Sequence, residues 1–147
     1  MISVFTDGGS RGNPGPAAIG VYIVDEKNNV LFSQGAPIGI ATNNIAEYKA
    51  VIAALTWLVA QQSLHLKHDG ISFYLDSQLV CRQITQIYKV KNAALERLLF
   101  QIRALEQGMQ KPIEYYHIPR EKNKKADALV NRALDNQHIV SYNENGS

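Results

Sequence analysis

The chain has 147 residues, which is the usual length of a single domain with a sizeable hydrophobic core. Its content of 46% hydrophobic and 19% charged residues excludes an intrinsically disordered chain, and its formal net charge of +2 is too small to identify a nucleic-acid partner by itself. The single cysteine, Cys81, excludes an internal disulfide, so we expect a reducing, cytoplasmic setting. No apolar run approaches the roughly 18 residues needed to span a bilayer, and we expect no membrane partner.

The first part of the chain predicts an antiparallel meander followed by a helix. A β-rich run at residues 2–6 precedes a segment dense in glycine and proline. Two further strand candidates, at residues 17–25 and 30–37, are joined by a turn-like Lys-Asn-Asn sequence, which is typical of a hairpin. Thr42 is suited to cap a long helix that runs to about residue 61, because apolar residues recur there at helical spacing.

The second part of the chain alternates strands with helices. The predicted elements are, in order, a loop at 65–70, a buried strand at 71–75, helices at 77–87 and 93–107, a strand at 112–118 and a helix at 124–136. The order β-β-β-α-β-α-α-β-α predicts an α/β fold with a mixed five-stranded sheet, in which an antiparallel 1-2-3 meander feeds parallel strands flanked by helices. Residues 1–138 would form one domain, and residues 139–147 a polar C-terminal tail.

Four carboxylates stand at the ends of these elements: Asp7, Glu47, Asp76 and Asp127. Each one alone is explained as a turn residue, a helix cap or an acid that favours a helix dipole. Together they would meet at one edge of the sheet. Ionised carboxylates that are crowded together raise each other's pKa, so such a cluster is stable mainly when cations occupy it. We therefore interpret the four acids as a divalent-metal site.

Four motifs, in order along the chain, resemble those of type 1 ribonuclease H. They are Phe5–Gly15 (FTDGGSRGNPG), Thr42–Tyr48 (TNNIAEY), Asp76–Val80 (DSQLV) and Arg120–Asp127 (REKNKKAD). The match runs from Ile2 to about Leu134, and the resemblance implies a ribonuclease H-like fold. The segment 88–92 is too short for the extra basic helix, the handle, of some members, and we expect no separate hybrid-binding domain of the kind that other members carry.

The resemblance implies an endoribonuclease, a hydrolase that cleaves the RNA strand of RNA–DNA hybrids by two-metal-ion catalysis and leaves 5′-phosphate and 3′-hydroxyl ends. It implies that Asp7 bridges two Mg²⁺ ions, with Mn²⁺ as an alternative metal. Glu47 and Asp76 would hold one ion, and Asp127 would complete the other. Two hard cations about 4 Å apart serve both ends of an in-line displacement. For the basic helper residue near the site, Arg120 is favoured over His117.

Selection of a hybrid requires contacts that sense 2′-hydroxyl groups. Short polar groups and backbone amides suit this role, although turn formation and helix capping are alternative explanations for several of them. The candidates are Gly8, Ser10, Gly12, Asn13, Asn43, Asn44 and Gln78. Candidate phosphate contacts are the scattered cations Arg11, Lys89, Lys91, Lys122, Lys124 and Lys125.

Two other functions remain open at this point. Transposases and junction resolvases share this type of sheet and acidic cluster, so a DNA-strand-processing nuclease is one alternative, and a non-catalytic hybrid-binding module is the other. The detail of the glycine-rich and Thr-Asn-Asn motifs favours a ribonuclease over a DNA-processing nuclease. The four intact acids favour an enzyme over a binding module. We expect a monomer whose partner is an RNA–DNA hybrid duplex.

Overall fold

The sheet is built around a three-stranded antiparallel meander formed by β1 (Ile2–Ser10), β2 (Gly15–Val24) and β3 (Val30–Ala41). The computed structural model describes residues 1–135 and 139–142, with the backbone alone for residues 65, 66 and 139–142. β1 also pairs in parallel with β4 (Ile71–Leu75), which pairs in parallel with β5 (Ile113–His117). The order β3-β2-β1-β4-β5 confirms the predicted mixed five-stranded arrangement.

The four predicted helices occur in the predicted order, and a further short helix, which the sequence did not predict, precedes β4. The helices are α1 (Asn43–Val59), α2 (Gln62–Lys67), α3 (Gln78–Ile84), α4 (Ala93–Gln107) and α5 (Lys124–Leu134). The hydroxyl of Thr42 accepts a hydrogen bond from the backbone N–H of Ile45 at 3.2 Å, which is the N-cap that the sequence predicted for α1. Among the described helices, none has both the length and the apolar character that crossing a membrane would require.

The two faces of the sheet carry different helices. Val4, Leu55 and Phe73 are completely buried in the main hydrophobic cluster, where strand residues of one face meet α1. α5 packs on β2 and β3 from the other face. A Cβ atom at Gly20 would lie 2.2 Å from the carbonyl oxygen of Ala126, so only glycine allows the backbone of α5 to come this close to β2. This contact fixes the position of the helix that carries Asp127.

Two strands are longer than their sequences indicated. β1 continues through the glycine-rich segment to Ser10, which pairs with Ala17 of β2, and β3 continues to Ala41. Pairing with β2 satisfies the backbone groups of this segment, so the tertiary context overrides the low strand propensity of glycine. The predicted loop at 65–70 is also wrong in part, since its first three residues belong to α2.

A sixth strand, β6 (Ile139–Tyr142), pairs antiparallel with β3 and extends the sheet. The prediction of a tail at 139–147 is therefore wrong for these four residues. Their Ile-Val-Ser-Tyr sequence is rich in strand-forming residues, and the edge of β3 offers unpaired backbone groups for them to join. The predicted tail residues 143–147 lie outside the described residues.

Candidate active site

The parallel pairing of β1 and β4 brings two of the four predicted acids together. Thr6 of β1 is in register with Leu75 of β4, and the next residues along these strands are Asp7 and Asp76. Neighbouring parallel strands present their carboxyl ends at the same edge of a sheet. Residues that are 69 positions apart in the sequence therefore lie side by side, as the sequence predicted.

Glu47 joins this pair because α1 lies directly on β1. A Cβ atom at Gly8 would be 2.2 Å from the carbonyl carbon of Ala46, so the absence of a side chain at Gly8 permits the close approach. Glu47 and Asp7 are each only 6% exposed. One carboxylate oxygen from each of Asp7, Glu47 and Asp76 lies within 4.8 Å of the other two.

Asp127 contributes from the opposite side of the site. It is half-buried in the first turn of α5 and lines the same cavity of about 460 Å³ as the other three acids, but it does not belong to their close group. The side-chain amide of Asn131 lies 3.4 Å from one of its carboxylate oxygens. The structure thus brings three of the predicted ligands into contact range and places the fourth on the cavity wall.

Asn123 is a site residue that sequence reasoning missed. Its side-chain amide nitrogen donates hydrogen bonds to the backbone carbonyl of Thr6 at 2.8 Å and to the carboxylate of Asp76 at 2.9 Å. The residue is 1% exposed and precedes α5, where its sequence position is typical of a helix cap. Its side chain makes no capping bond with α5. Instead it ties the start of that helix to the ends of β1 and β4 and orients Asp76.

The carboxylates of this site destabilise each other's ionised forms. Burial, followed by the negative charge of Asp76, raises the pKa of Asp7 from 3.8 to about 7. Burial, followed by the charge of Asp7, raises the pKa of Glu47 well above its ordinary value. One oxygen of Glu47, Oε2, is buried without a hydrogen-bond partner among the described residues. The site therefore has more negative charge and more acceptor capacity than the surrounding protein satisfies.

This donor set fits a divalent cation. Three carboxylate oxygens lie close together, and one oxygen of Glu47 is buried without a hydrogen-bond partner among the described residues. Hard divalent ions prefer oxygen ligands, and a bound positive charge would relieve the repulsion among Asp7, Glu47 and Asp76. The sequence-based prediction of a metal-binding site at this edge of the sheet is consistent with this geometry.

Hydrogen bonds connect the glycine-rich segment to the start of α1. The side-chain oxygen of Asn43 accepts from the backbone N–H of Ser10 at 2.9 Å, and the side-chain oxygen of Asn13 accepts from the backbone N–H of Asn43 at 2.9 Å. The side-chain NH₂ group of Asn43 has no partner among the described residues, so it remains able to donate to a ligand. Of the predicted substrate contacts, four line the acidic cavity (Gly8, Ser10, Asn43 and Asn44) and three do not (Gly12, Asn13 and Gln78).

The candidate helper residues lie in different places. Arg120 begins a short 3-10 turn, Arg120–Lys122, and lines the acidic cavity. His117 is exposed at the end of β5 and does not line that cavity. This placement agrees with the preference for Arg120, whose role remains a prediction.

The predicted phosphate-binding cations also separate into groups. Arg11 lines the acidic cavity and pairs at 2.8 Å with the carboxylate of Asp135. Lys89 and Lys91 are exposed between α3 and α4, where residues 85–92 contain no helix and so leave no basic handle. Lys122, Lys124 and Lys125 line a second cavity instead.

Comparison with known proteins agrees with this fold and site. A family model described as reverse transcriptase-like matches residues 5–133. Ribonuclease HI of Halobacterium salinarum is 40% identical over 134 residues, which cover 91% of this chain and 64% of that protein. The chain also spans 35% of three mycobacterial proteins that are 38% identical to it over 135 residues. It therefore corresponds to a part of each of these relatives.

Solved structures give the same result with nearly complete overlap. LC11-RNase H1, which was isolated from compost by a metagenomic approach, is 44% identical with a TM-score of 0.87, and the alignment covers 92% of this chain and 96% of that one. LC11-RNase H1 in complex with an RNA/DNA hybrid aligns at 42% identity with a TM-score of 0.81, covering 92% and 98% of the two chains. These similarities confirm the resemblance that the four motifs indicated, and the chain belongs to the type 1 ribonuclease H family.

Proposed function

We propose that this chain is a metal-dependent endoribonuclease that hydrolyses the RNA strand of RNA–DNA hybrids. The observation that carries the proposal is the group formed by Asp7, Glu47 and Asp76, whose carboxylate oxygens converge within 4.8 Å in an open cavity. The complex of LC11-RNase H1 with an RNA/DNA hybrid supports the choice of substrate, because the two chains align over almost their whole lengths.

Asp7, Glu47 and Asp76 would hold divalent cations together with Asp127, and Mg²⁺ suits their oxygen-only donor set, with Mn²⁺ as an alternative. When bound, two such ions supply an activated water on one side of the scissile phosphate and stabilise the leaving oxygen on the other. Departure of the 3′-oxygen in such an in-line displacement leaves 5′-phosphate and 3′-hydroxyl ends.

The protein's own groups prepare the site for this reaction. Asn123 holds the carboxylate of Asp76 in place through a hydrogen bond of 2.9 Å. The guanidinium group of Arg120, at the wall of the cavity, would attract the phosphate and assist departure of the cleaved strand.

Hybrid selection would come from the small polar groups beside the acids. The unpartnered NH₂ group of Asn43 and the short side chain of Ser10 line the cavity next to the carboxylates. Such groups are suited to hydrogen bonds with the 2′-hydroxyls of an RNA strand in a shallow minor groove.

A substrate panel tests the proposal. The protein is incubated with Mg²⁺ and an end-labelled RNA–DNA hybrid, duplex DNA, duplex RNA or single-stranded RNA of one sequence. We expect cleavage of the hybrid's RNA strand alone, with 5′-phosphate products, and no cleavage in EDTA. Preferential cutting of duplex DNA would instead establish a DNA-processing nuclease, and hybrid binding without cutting would establish a binding module.

A further inference from the structure

A second cavity, of about 380 Å³, lies beside the acidic site and takes no part in the cleavage proposed above. Its walls combine aromatic, aliphatic and basic side chains: Phe5, Tyr22, Val24 and Asn28 from the sheet region, and the segment Glu121–Lys125. The stretch 120–127 contributes to both cavities, because Arg120 and Asp127 line the acidic one.

Four aromatic residues form a row across the sheet at this cavity. Tyr22, Phe5, Tyr74 and Tyr116 are in register on β2, β1, β4 and β5. The rings of Phe5 and Tyr74 are stacked with centroids 5.1 Å apart, and those of Tyr74 and Tyr116 are stacked at 5.6 Å. The stack stops at Phe5, which lines the cavity together with Tyr22. One end of an aromatic stack therefore forms part of the cavity wall.

The charge of this cavity is positive. Lys122, Lys124 and Lys125 are exposed, and none of them forms an ion pair with another residue in the described part of the chain. The ammonium group of Lys125 lies 5.9 Å from the ring centroid of Tyr22. Glu121 is the single acid on the cavity wall, so three cations oppose one anion. This balance complements a polyanion.

Asn123 links this cavity to the acidic site. It lines this cavity, is 1% exposed, and its side-chain oxygen has no hydrogen-bond partner among the described residues. The amide nitrogen of the same side chain holds Asp76, so this wall is connected to the catalytic carboxylates.

We infer that this cavity binds a single-stranded nucleic-acid segment, with a base against Phe5 and Tyr22 and successive phosphates at Lys122, Lys124 and Lys125. Base–aromatic stacking tolerates any sequence, and a basic groove beside aromatic rings is the usual arrangement for binding an unpaired strand. Three separate ammonium groups suit more than one phosphate, which favours a strand over a mononucleotide. A hybrid with an unpaired end would then occupy both cavities.

The salt dependence of strand binding tests the basic half of the site. A fluorescein-labelled oligo(dT) of about ten nucleotides is titrated with protein in EDTA at several salt concentrations, and binding is followed by anisotropy. Each phosphate contact with a single strand contributes about 0.7 to the slope of log K against log salt, so Lys122→Gln with Lys125→Gln should reduce that slope by about 1.4. Lys49→Gln with Lys67→Gln, a matched loss of two exposed cations on α1 and α2, should leave it unchanged. Equal slopes in both double variants and the wild type would overturn the inference.

The aromatic half is tested by Tyr22→Leu. This change removes the ring and should weaken oligo(dT) binding roughly fivefold to a hundredfold, the range for loss of one stacked base. Tyr88→Leu, at an exposed tyrosine between α3 and α4, is the matched control and should have no effect. Iodouracil placed in the strand should crosslink on irradiation to Phe5 or Tyr22, as identified by mass spectrometry. Crosslinks confined to other residues would contradict the assignment. It would also be contradicted if thymidine monophosphate displaced the labelled oligo(dT) at the same concentration as unlabelled oligo(dT) does.

The measurement of oligo(dT) binding does not depend on hybrid cleavage. If the test variants bind oligo(dT) as the control variants do, and hybrid cleavage by the wild type is normal, this inference is overturned and the proposed function stands. If oligo(dT) binding falls in the test variants as expected but the wild type does not cleave the hybrid, the proposed function is overturned and this inference stands. A hybrid with a single-stranded overhang should bind more tightly than a blunt hybrid, and Tyr22→Leu should remove that gain.

Discussion

Replacing Asp7 by asparagine should stabilise the metal-free protein at alkaline pH, at the expense of activity. Asp7 is 6% exposed, and burial together with the charge of Asp76 raises its pKa from 3.8 to about 7. A carboxyl group whose pKa is higher in the folded than in the unfolded chain keeps its proton longer when folded. Its ionisation therefore lowers the free energy of unfolding as the pH rises from about 4 to about 7.

The size of this effect follows from the two pKa values. The interval between 3.8 and about 7, at 1.36 kcal/mol per pH unit, corresponds to about 4 kcal/mol above pH 7. Asparagine has nearly the same size and no charge, so the variant avoids this loss. We expect a gain of about 2 to 4 kcal/mol at pH 8, where the lower figure allows for water that enters the open cavity. At pH 5 the gain should be smaller, by up to about 3 kcal/mol, because the folded wild type is then protonated at Asp7.

The assay is urea unfolding followed by circular dichroism at pH 5 and pH 8 in EDTA. Asp127→Asn serves as the control, because it removes a half-buried carboxylate that lines the same cavity but lies outside the close group, and its gain at pH 8 should be smaller. Mg²⁺ should stabilise the wild type more than Asp7→Asn, since it binds the folded acids. A variant that is no more stable than the wild type at pH 8, or a gain that is equal at both pH values, would refute the idea that repulsion among buried acids destabilises this site.

Three further changes test how the site is assembled. A Cβ atom at Gly8 would be 2.2 Å from the backbone of α1, so Gly8→Ala should lower the free energy of unfolding in urea by about 1 to 3 kcal/mol. Gly9→Ala, whose Cβ would be 3.7 Å from the nearest atom, should lower it less. Equal losses in the two variants would argue against the close packing. Asn123→Ala removes two hydrogen bonds and should lower the free energy of unfolding by about 1 to 3 kcal/mol, and an unchanged unfolding midpoint would contradict its role as a link between strands and helix. Arg120→Ala should slow hybrid turnover at saturating substrate more than His117→Ala, and the reverse ranking would assign the helper role to the histidine.

Most of the fold was accessible from the sequence because its patterns are local. The helix over residues 93–107 was predicted with the bounds that the structure shows, and in the structure the side chain of Asn92 caps it by accepting from the backbone N–H of Leu95. The extension of β1 through Gly8 and Gly9 could not be predicted in this way. Those glycines have low strand propensity and are held in the sheet by pairing with Ile19 and Ala18, which is a non-local contact. Strand β6 was missed for the same reason, because an edge strand depends on a partner far along the chain.

The same difference between local and non-local signals applies to the candidate site. The four acids could be predicted from motifs and from their positions at element ends, and the structure places all four around one cavity. Asn123 was not predicted, because before a helix an asparagine indicates a cap, and nothing local shows that its amide would reach Thr6 and Asp76. The grouping of the basic residues was equally inaccessible. Which cavity a lysine lines depends on how the segment 120–127 is placed between the acidic cavity and the aromatic one.

The most direct test of the whole account is hybrid cleavage by Asp7→Asn in Mg²⁺, measured under single-turnover conditions beside hybrid binding by the same variant. If the converging acids hold the catalytic cations, the rate should fall by more than about a thousandfold while the affinity for the hybrid stays within a fewfold of the wild type. Turnover close to that of the wild type would show that the acidic group is not the catalytic centre of this protein.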